Sequence, residues 1–329
     1  MIGKNAELAL PQIGMGCWSF AGGEYWGDQS LDDSIRTVHA ALDSGVSLFD
    51  TSENYVDDHH SEEVLGAALV GRRDKAIIAT KVARGNLRRD DIIHACHASL
   101  ERLGTDYIDL YQIHWPNQDI SIDESCGAMG ELLDSGLIRS FGVCNFGPAD
   151  LTDLLRIQRP VSNQMAYNLL WRGVESDVVP ILESEDIGLM CYSPLAQGLL
   201  TGKYASPADV KGGVASSRIF SSNREAATHD DRGVEDEAFA AVALLLDLAA
   251  ELSISPAVLS VQWLLSRPTV ATVLVGARRP EEIASMVDAG ASGDAEEAIA
   301  LDTLTDRTAS LKQLLAGNLD MWQSEGRIR

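Results

Sequence analysis

Four side chains that can exchange protons lie at regular places relative to apolar segments of the sequence. Asp50, Lys81 and His114 each end an apolar run with β-strand character, and Tyr55 follows Asp50 by five residues. An apolar strand that stops at a polar group is typical of the catalytic rim of an α/β barrel. A single Asp and a single Tyr are explained as well by a helix cap and a surface residue. Three successive strands with the same kind of ending favour a shared site.

An acid, a phenol, an amine and an imidazole together suit proton transfer to or from an oxygen atom. An unperturbed tyrosine has a pKa near ~10, and a buried ammonium such as that of Lys81 lowers this pKa by stabilising the phenolate. Asp50 keeps Lys81 charged, and His114 can hydrogen-bond and polarise a substrate oxygen. We therefore predict an acid/base relay that interconverts a carbonyl and an alcohol. None of the four groups can supply a hydride, so the redox half of the reaction must come from a cofactor.

Strand-like and helical segments alternate along the sequence. Strands are predicted at residues 11–18, 47–50, 76–81, 108–114, 139–143, 161–165, 188–192 and 272–275. Helices are predicted at residues 31–44, 61–69, 89–103, 122–135, 149–157, 174–185, 235–252, 256–266 and 281–288. This alternation, without a break in composition, predicts a (β/α)₈ TIM barrel in which residues 1–329 form a single domain. A doubly wound sheet is the alternative, but no GxGxxG motif follows an early strand.

Two segments depart from this alternation. Residues 202–232, after the seventh strand, are rich in Gly, Ser and Asp, and a structureless insertion of this length predicts a lid or a flexible loop. Residues 295–315 predict a C-terminal helical extension that could cover the barrel or form an oligomer contact. Both a monomer and a homo-oligomer are compatible with this pattern.

The composition restricts the classes of partner. The 49 acidic and 26 basic residues give a net charge of −23, which repels nucleic acid and anionic lipid. No apolar run reaches the ~18 residues of a membrane span, and the N-terminus lacks the pattern of a signal segment. The five cysteines show no CxxC spacing, which argues against a disulfide framework and a structural zinc site, and no other metal site is predicted. We expect a cytoplasmic protein with a small-molecule ligand and without nucleic-acid or membrane partners.

Five segments of the sequence, in this order, resemble those of the aldo-keto reductase family. They are an aspartate–tyrosine segment at 48–55, a lysine strand at 78–82, a histidine strand at 106–116, and the segments 138–146 and 192–204. Each segment alone is moderately specific, whereas all of them in order are highly specific, and the resemblance covers nearly the whole chain. It implies a barrel that binds NADP or NAD across its C-terminal rim without a Rossmann domain.

The resemblance also implies roles for the four proton-exchanging residues. Tyr55 would be the general acid/base, and Asp50 and Lys81 would tune its pKa. His114 would orient the substrate carbonyl. These four residues are the predicted catalytic set.

Most of the other implied roles concern the cofactor. Asn145 and Gln164 would hydrogen-bond the carboxamide, since each amide offers a donor and an acceptor, and Tyr192 would stack on the nicotinamide. The remaining predicted cofactor contacts are Cys17, Trp18, Asp50, Cys144, Ser193, Leu195, Gln197, Gly198, Leu199, Lys203, Gly276, Ala277, Arg278, Arg279 and Glu282. The predicted substrate contacts are Trp18, Trp26, Tyr55, His114 and Trp115.

Three positions depart from the family pattern. Cys144 stands where the family usually has serine, and the segment 56–61 lacks the usual glycines and is one residue longer. Glu282 stands where relatives tend to carry Gln or Arg near the ribose phosphate. A carboxylate there would repel a 2′-phosphate and accept hydrogen bonds from free ribose hydroxyls. We therefore hypothesise dual or NAD-leaning specificity, opposed by Arg278 and Arg279, and the preference between NADP and NAD stays open.

Two loops most resemble the bacterial branch of the family that handles sugars and aldehydes. They are the segments 22–27 and 197–203. The predicted function is the NAD(P)-dependent interconversion of a carbonyl and an alcohol on a small polar aldehyde, ketone or aldose. The alternative is a cofactor-binding regulatory subunit with little turnover, like the potassium-channel β-subunits of the family. The intact set of four catalytic residues and the absence of an N-terminal extension argue against this alternative.

Overall fold

Eight parallel strands pair in sequence order and close into a barrel, with β1 hydrogen-bonded to both β2 and β8. The structure is a computed structural model that describes residues 8–225, 227–290, 295–314, 319–323 and 327–329. The strands are β1 (Ile13–Gly16), β2 (Leu48–Asp50), β3 (Ile77–Val82), β4 (Ile108–Ile113), β5 (Ile138–Cys144), β6 (Ser162–Ala166), β7 (Gly188–Tyr192) and β8 (Val270–Gly276). The predicted (β/α)₈ barrel is confirmed.

Helices surround the barrel. They are α1 (Gly23–Trp26), α2 (Leu31–Asp43), α3 (Ser61–Ala68), α4 (Arg89–Leu103), α5 (Ile122–Asp134), α6 (Pro148–Leu155), α7 (Val174–Asp177), α8 (Val179–Ser184), α9 (Glu235–Leu252), α10 (Pro256–Leu265), α11 (Pro280–Val287), α12 (Ala295–Arg307) and α13 (Ala309–Leu314). Local signals set several ends: the Ser30 hydroxyl caps α2 by accepting a hydrogen bond from Asp33 N, and Gly104 ends α4 in the left-handed conformation with φ 62°.

The interior of the barrel changes from apolar to polar along the strand direction. One buried apolar layer consists of Leu48, Ala79, Leu110, Met190 and Leu274. Side chains two residues apart on a strand share a face. Asp50, Lys81 and Gln112 therefore follow this layer on the same faces of β2, β3 and β4, and all three are buried. The apolar layer packs beneath a polar layer at the C-terminal ends of the strands, which is where barrel enzymes carry their active sites.

Two predicted elements differ from the structure. The predicted first strand, 11–18, ends at Gly16, and Trp18 opens a short helical turn, Trp18–Ala21, that leads into α1. The predicted helix 174–185 is two short helices, α7 and α8. Pro180 lies in the first turn of α8, where its missing N–H cannot continue the hydrogen bonds of α7.

The segment 202–232, which the sequence predicts as structureless, is packed against the barrel. It contains the short helical turns Pro207–Asp209 and Gly212–Ser216, and Ile219 and Phe220 are fully buried. Arg224 Nη2 forms an ion pair with Glu235 Oε2 of α9 over 2.9 Å. Burial of apolar side chains and this ion pair outweigh the loop-like composition of the segment.

The C-terminal extension is helical as predicted and lies along the side of the barrel. It forms α12 and α13, and residue 315 lies outside the described residues. Arg172, which is almost fully buried, donates hydrogen bonds to Thr305 O and Thr308 Oγ1, both at 2.8 Å. This extension therefore covers the region after β6.

Within the described part of the chain, no single helix is long and apolar enough to cross a membrane. The pair α9 and α10, bent by 101° at its break, passes the same test of length and composition when the two helices are taken together.

Candidate active site

Lys81 joins Asp50 and Tyr55 at the base of the C-terminal rim. Its side chain is fully buried, and Nζ lies 2.6 Å from Asp50 Oδ2 and 3.3 Å from the Tyr55 hydroxyl. Thr51 O accepts a third hydrogen bond from Nζ at 2.7 Å. A buried ammonium is stable only when it is paired and hydrogen-bonded. These contacts therefore hold a charged lysine directly beside the phenol.

The second oxygen of Asp50 accepts hydrogen bonds from two amides. Gln164 Nε2 donates to Oδ1 over 2.8 Å, and Gln112 Nε2 donates to the same oxygen over 3.3 Å. The sequence predictions do not include Gln112. Its signal is a polar residue on the interior face of β4, in line with the apolar Leu110. Cys144 Sγ donates to Gln112 Oε1 at 3.5 Å, so the thiol at this position supports Gln112.

His114 follows β4 and packs with its ring edge against Tyr55. The ring centroids are 5.6 Å apart with an interplanar angle of 80°. Nδ1 lies 3.2 Å from the Ser52 hydroxyl, a second residue that the sequence predictions miss, and Asn145 Nδ2 donates to His114 O over 3.1 Å. Contacts on the ring and on the main chain therefore both hold His114 in position.

Burial dominates the proton affinities in this site. It raises the pKa of Tyr55 to about 12, although the nearby Lys81 charge acts in the opposite direction. Lys81 acts in the predicted direction, because its charge and its hydrogen bond lower the pKa of Tyr55, but burial outweighs both and the net direction is upward. Burial, the Lys81 charge and the Arg327 charge together hold the pKa of His114 well below its usual range. Near neutral pH the site contains a protonated phenol and a neutral imidazole.

Above these groups lies a cavity of about 790 Å³. The predicted residues that line it are Trp18, Trp26, Asp50, Tyr55, His114, Trp115, Asn145, Gln164, Tyr192, Ser193, Leu195, Gln197, Gly198, Lys203, Gly276, Arg278 and Glu282. Five predicted cofactor contacts are not among the described lining residues: Cys17, Cys144, Leu199, Ala277 and Arg279. Four of these five are buried in the wall behind the cavity, whereas Arg279 is exposed at the start of α11.

Aromatic rings surround the Tyr55 hydroxyl end of the cavity. Trp18 stacks on Tyr55 with centroids 5.6 Å apart and an angle of 24°, and Trp26 meets Trp18 edge-on at 5.2 Å. Trp115 lies next to His114, with centroids 6.4 Å apart. Three C-terminal residues that the sequence predictions miss also line the cavity, namely Trp322, Gln323 and Arg327. No local pattern marks them, because more than 200 residues separate them from the His114 strand.

Left-handed backbone conformations cluster on the other side of the cavity. Ser193, Ala196 and Gln197 have φ of 52°, 46° and 54°, and Gly198 has φ 95°. Turns of this kind can direct backbone N–H groups towards an anion. Here Ala196 N and Gly198 N donate within the turn, to Ser193 O and Leu195 O. A Cβ at Gly198 would come within 2.6 Å of Lys203 Nζ, so the glycine allows the ammonium to pack against this turn.

Asn145 connects the two sides of the cavity. Its backbone is left-handed, with φ 60°, a conformation that Asn tolerates better than most residues. Its Oδ1 accepts a hydrogen bond from the Tyr192 hydroxyl at 3.0 Å. Each atom of the Asn145 amide therefore has one partner, and each retains the capacity for a second.

At the end of the cavity next to β8, a carboxylate forms an ion pair with a neighbouring arginine. Glu282 accepts a hydrogen bond from Arg278 N at 2.8 Å and forms an ion pair with Arg279 at 2.7 Å. The Arg278 guanidinium donates to Gln29 Oε1 at 3.0 Å and to Asp28 O. Burial alone would raise the pKa of Glu282, but the hydrogen bonds from Arg278 N and Arg279 outweigh it and lower that pKa. Glu282 is therefore an ionised carboxylate that balances the charge of Arg279.

Comparison with known proteins places the sequence among oxidoreductases. The sequence model of the aldo/keto reductase family matches residues 12–304. The chain is 33% identical over 322 residues to the aldo-keto reductase YhdN of Bacillus subtilis, covering 93% of each chain. It is 30% identical over 297 residues to a probable voltage-gated potassium channel subunit beta of Oryza sativa, covering 85% of this chain and 87% of that one. The structure of an aldo-keto reductase from Klebsiella pneumoniae in complex with NADPH matches with a TM-score of 0.70 and 28% identity, covering 92% of this chain and 95% of that one.

Proposed function

Because this chain belongs to the aldo/keto reductase family, we propose that it interconverts a carbonyl and an alcohol with NADP or NAD as the redox partner. The substrate class is a small aldehyde, ketone or aldose. Tyr55 is the general acid/base, Asp50 and Lys81 stabilise its charged form, and His114 hydrogen-bonds the substrate oxygen. The single observation that carries this proposal is the chain of contacts at the base of the cavity that joins the buried Asp50 and Lys81 to the Tyr55 hydroxyl.

The size and the lining of the cavity support the binding of an extended dinucleotide. Its volume of about 790 Å³ lies within the range of ~300–1,000 Å³ typical of small-molecule sites. Asn145 and Gln164 offer amides for a carboxamide near Asp50, and the turn at residues 193–198 with Lys203 offers N–H groups and a positive charge for phosphates. When bound, the nicotinamide supplies or accepts the hydride.

In the direction of reduction, the protonated Tyr55 donates its phenol proton to the carbonyl oxygen. The Lys81 ammonium, 3.3 Å from that hydroxyl, stabilises the phenolate that remains, and Asp50 keeps Lys81 charged. The neutral His114 holds the same substrate oxygen through a ring N–H. In the direction of oxidation, the phenolate takes the proton from the alcohol.

The test compares wild type with Tyr55→Phe for turnover of small aldehydes and for cofactor binding. Binding is measured by the quenching of tryptophan fluorescence, since Trp18 and Trp26 line the cavity. We expect turnover to be lost while cofactor binding persists. Equal turnover in both proteins would contradict the role of Tyr55. Cofactor binding by wild type without turnover of any carbonyl would instead favour a regulatory subunit, a possibility motivated by the similarity to the Oryza sativa protein.

The proposal extends to the whole chain. Trp322 and Arg327 line the same cavity as Trp18, which supports residues 1–329 acting as one domain. A cytoplasmic location stays a prediction from the composition, and so does the absence of nucleic-acid and membrane partners.

A further inference from the structure

Arg327 is the cationic side chain next to the proton-transfer end of the cavity. Three of the described lining residues are Lys or Arg. Lys203 packs on the turn after β7, and Arg278 is held by Gln29 and Asp28 after β8. Arg327 lies instead over the Trp115 ring, with Cζ 3.8 Å from its centroid. Trp115 is the residue after His114, so Arg327 belongs to the side of the cavity where a substrate carbonyl would be held.

Two contacts hold the Arg327 guanidinium in one orientation. Its Nε donates to Asp320 Oδ2 over 2.6 Å, and the Asp320 side chain is fully buried. The Trp115 ring supports the guanidinium plane from one face. Asp320 is itself held, because its Oδ1 accepts a hydrogen bond from Trp322 N over 3.0 Å. The guanidinium is therefore positioned before any ligand arrives.

This arrangement leaves the terminal nitrogens of Arg327 available. Of its five N–H groups, one is used by Asp320, and no other hydrogen bond joins Arg327 to the residues that the structure describes. Its side chain remains 27% exposed. A guanidinium whose Nε is occupied and whose terminal nitrogens are accessible suits a planar anion that accepts two parallel hydrogen bonds.

Arg327 brings a positive charge to the cavity of a protein whose net charge is −23. Asp50 and Lys81 compensate each other, and the Arg327 charge contributes to keeping His114 neutral. A buried carboxylate alone would explain Arg327 as a structural partner of Asp320. It would not explain why the guanidinium lines the cavity near His114 and Trp115 with donors that none of the described residues uses.

We propose that the substrate carries a carboxylate in addition to its carbonyl and that Arg327 binds this carboxylate. This inference rests on the proposed function, since it assumes that Tyr55 and His114 hold the carbonyl oxygen. The preferred substrates are then short oxo acids rather than neutral aldehydes. Trp115 connects the two groups that would hold the substrate, because its ring centroid lies 3.8 Å from Arg327 Cζ and 6.4 Å from the His114 ring centroid.

The first experiment uses the unmodified protein and three matched pairs of probes. They are glyoxylate, 4-oxobutanoate and 4-formylbenzoate, each compared with its neutral methyl ester. We expect kcat/KM for at least one acid to exceed that for its ester by about tenfold or more, mainly through KM, because a charge-assisted bidentate contact is stronger than a neutral one. If kcat/KM for the ester equals that for the acid in all three pairs, the inference is overturned and the proposed function remains intact. Turnover of neither acids nor esters would overturn both.

The second experiment assigns the preference to Arg327. Arg327→Gln should lower the acid-to-ester ratio of kcat/KM by about tenfold or more, and Arg327→Lys should restore part of it, since the ammonium keeps the charge but not the planar fork. Arg327→Gln/Asp320→Asn also removes the buried carboxylate that loses its Arg327 ion pair in the single variant. Arg36→Gln is the control, because Arg36 is exposed on α2, pairs with Asp33, and changes the net charge equally. An unchanged ratio in the folded double variant would overturn the inference.

Discussion

Gln164 Nε2 donates a 2.8 Å hydrogen bond to Asp50 Oδ1. Gln164 thus touches the carboxylate that keeps Lys81 charged, and its amide also lines the cavity where we propose that the nicotinamide carboxamide binds. A single side chain therefore connects the proposed cofactor site to the proposed proton relay. Binding of the cofactor and positioning of Asp50 are expected to depend on each other through Gln164.

Replacement of Gln164 should affect cofactor binding and turnover together. Gln164→Ala removes one donor to Asp50 and one partner for the carboxamide, and the lost hydrogen bonds correspond to about 1–3 kcal/mol. Gln112→Ala is the matched control, since Gln112 also donates to Asp50 Oδ1 but does not line the cavity among the described residues. Fluorescence titration should detect weaker cofactor binding only in Gln164→Ala. Equal losses of cofactor affinity in both variants would contradict this role.

Glu282 should weaken the binding of NADPH relative to NADH. Glu282→Gln removes a carboxylate that balances Arg279 and would repel a 2′-phosphate, so the ratio of the Kd for NADPH to that for NADH should fall by about tenfold. Glu281→Gln is the control, because Glu281 is exposed, lies 3.7 Å from Arg279 Nε and is not among the described lining residues. Paired fluorescence titrations with NADPH and NADH measure the ratio. If Glu282→Gln leaves the ratio of the two Kd values unchanged, Glu282 does not contribute to the choice between NADPH and NADH.

The depressed pKa of His114 should make the protein less stable in acid. The unfolded chain protonates this histidine near pH ~6.5, whereas the native chain does so only well below that pH. Below pH ~6.5 the unfolded state therefore binds more protons, and the free energy of unfolding falls as the pH is lowered. Urea unfolding at about pH 7.5 and pH 5 should show a larger loss for wild type than for His114→Gln. The same loss in both proteins would exclude His114 as the cause.

The raised pKa of Tyr55 should keep reductive turnover high in alkaline solution. With a pKa of about 12 the phenol stays protonated at pH values where an ordinary tyrosine begins to ionise. Reductive kcat/KM should therefore not fall between about pH 7 and pH 9 through the loss of this proton. Reductive kcat/KM of wild type that falls between about pH 7 and pH 9 would contradict the expected protonation state of Tyr55. If Lys81→Met does not show the same fall, the ionisation responsible belongs to the Lys81–Tyr55 pair.

Asn145 should contribute to stability through its backbone as well as its amide. Its φ of 60° costs an alanine about 1–2 kcal/mol but costs a glycine nothing. Both Asn145→Ala and Asn145→Gly lose the hydrogen bonds to His114 O and the Tyr192 hydroxyl. We expect Asn145→Gly to unfold at a higher urea concentration than Asn145→Ala, with cofactor binding weakened in both. Alanine as the more stable replacement would show that the left-handed backbone is not a constraint here.

Much of the architecture follows from local patterns. The bounds of α4 and α9 agree with the helical periodicity, because the spacing of apolar residues and a left-handed residue at the C-terminal end act within a few turns of chain. The grouping of Asp50, Lys81 and His114 also follows from the sequence, since parallel strands of a barrel bring their C-terminal ends to one rim. The sequence predicts one continuous helix at 174–185, because hydrophobic periodicity alone does not take account of the missing N–H of Pro180.

Only the tertiary structure determines how these groups are tuned and what else surrounds them. The direction of the Tyr55 pKa depends on burial, which outweighs the Lys81 charge that the sequence suggests as the main influence. Gln112 and Ser52 acquire their contacts between the C-terminal ends of β2 and β4, which β3 separates in the barrel. Arg327 reaches the cavity from the C-terminal end of the chain. Desolvation and contacts between distant residues arise only when the chain is folded, so no local pattern in the sequence contains them.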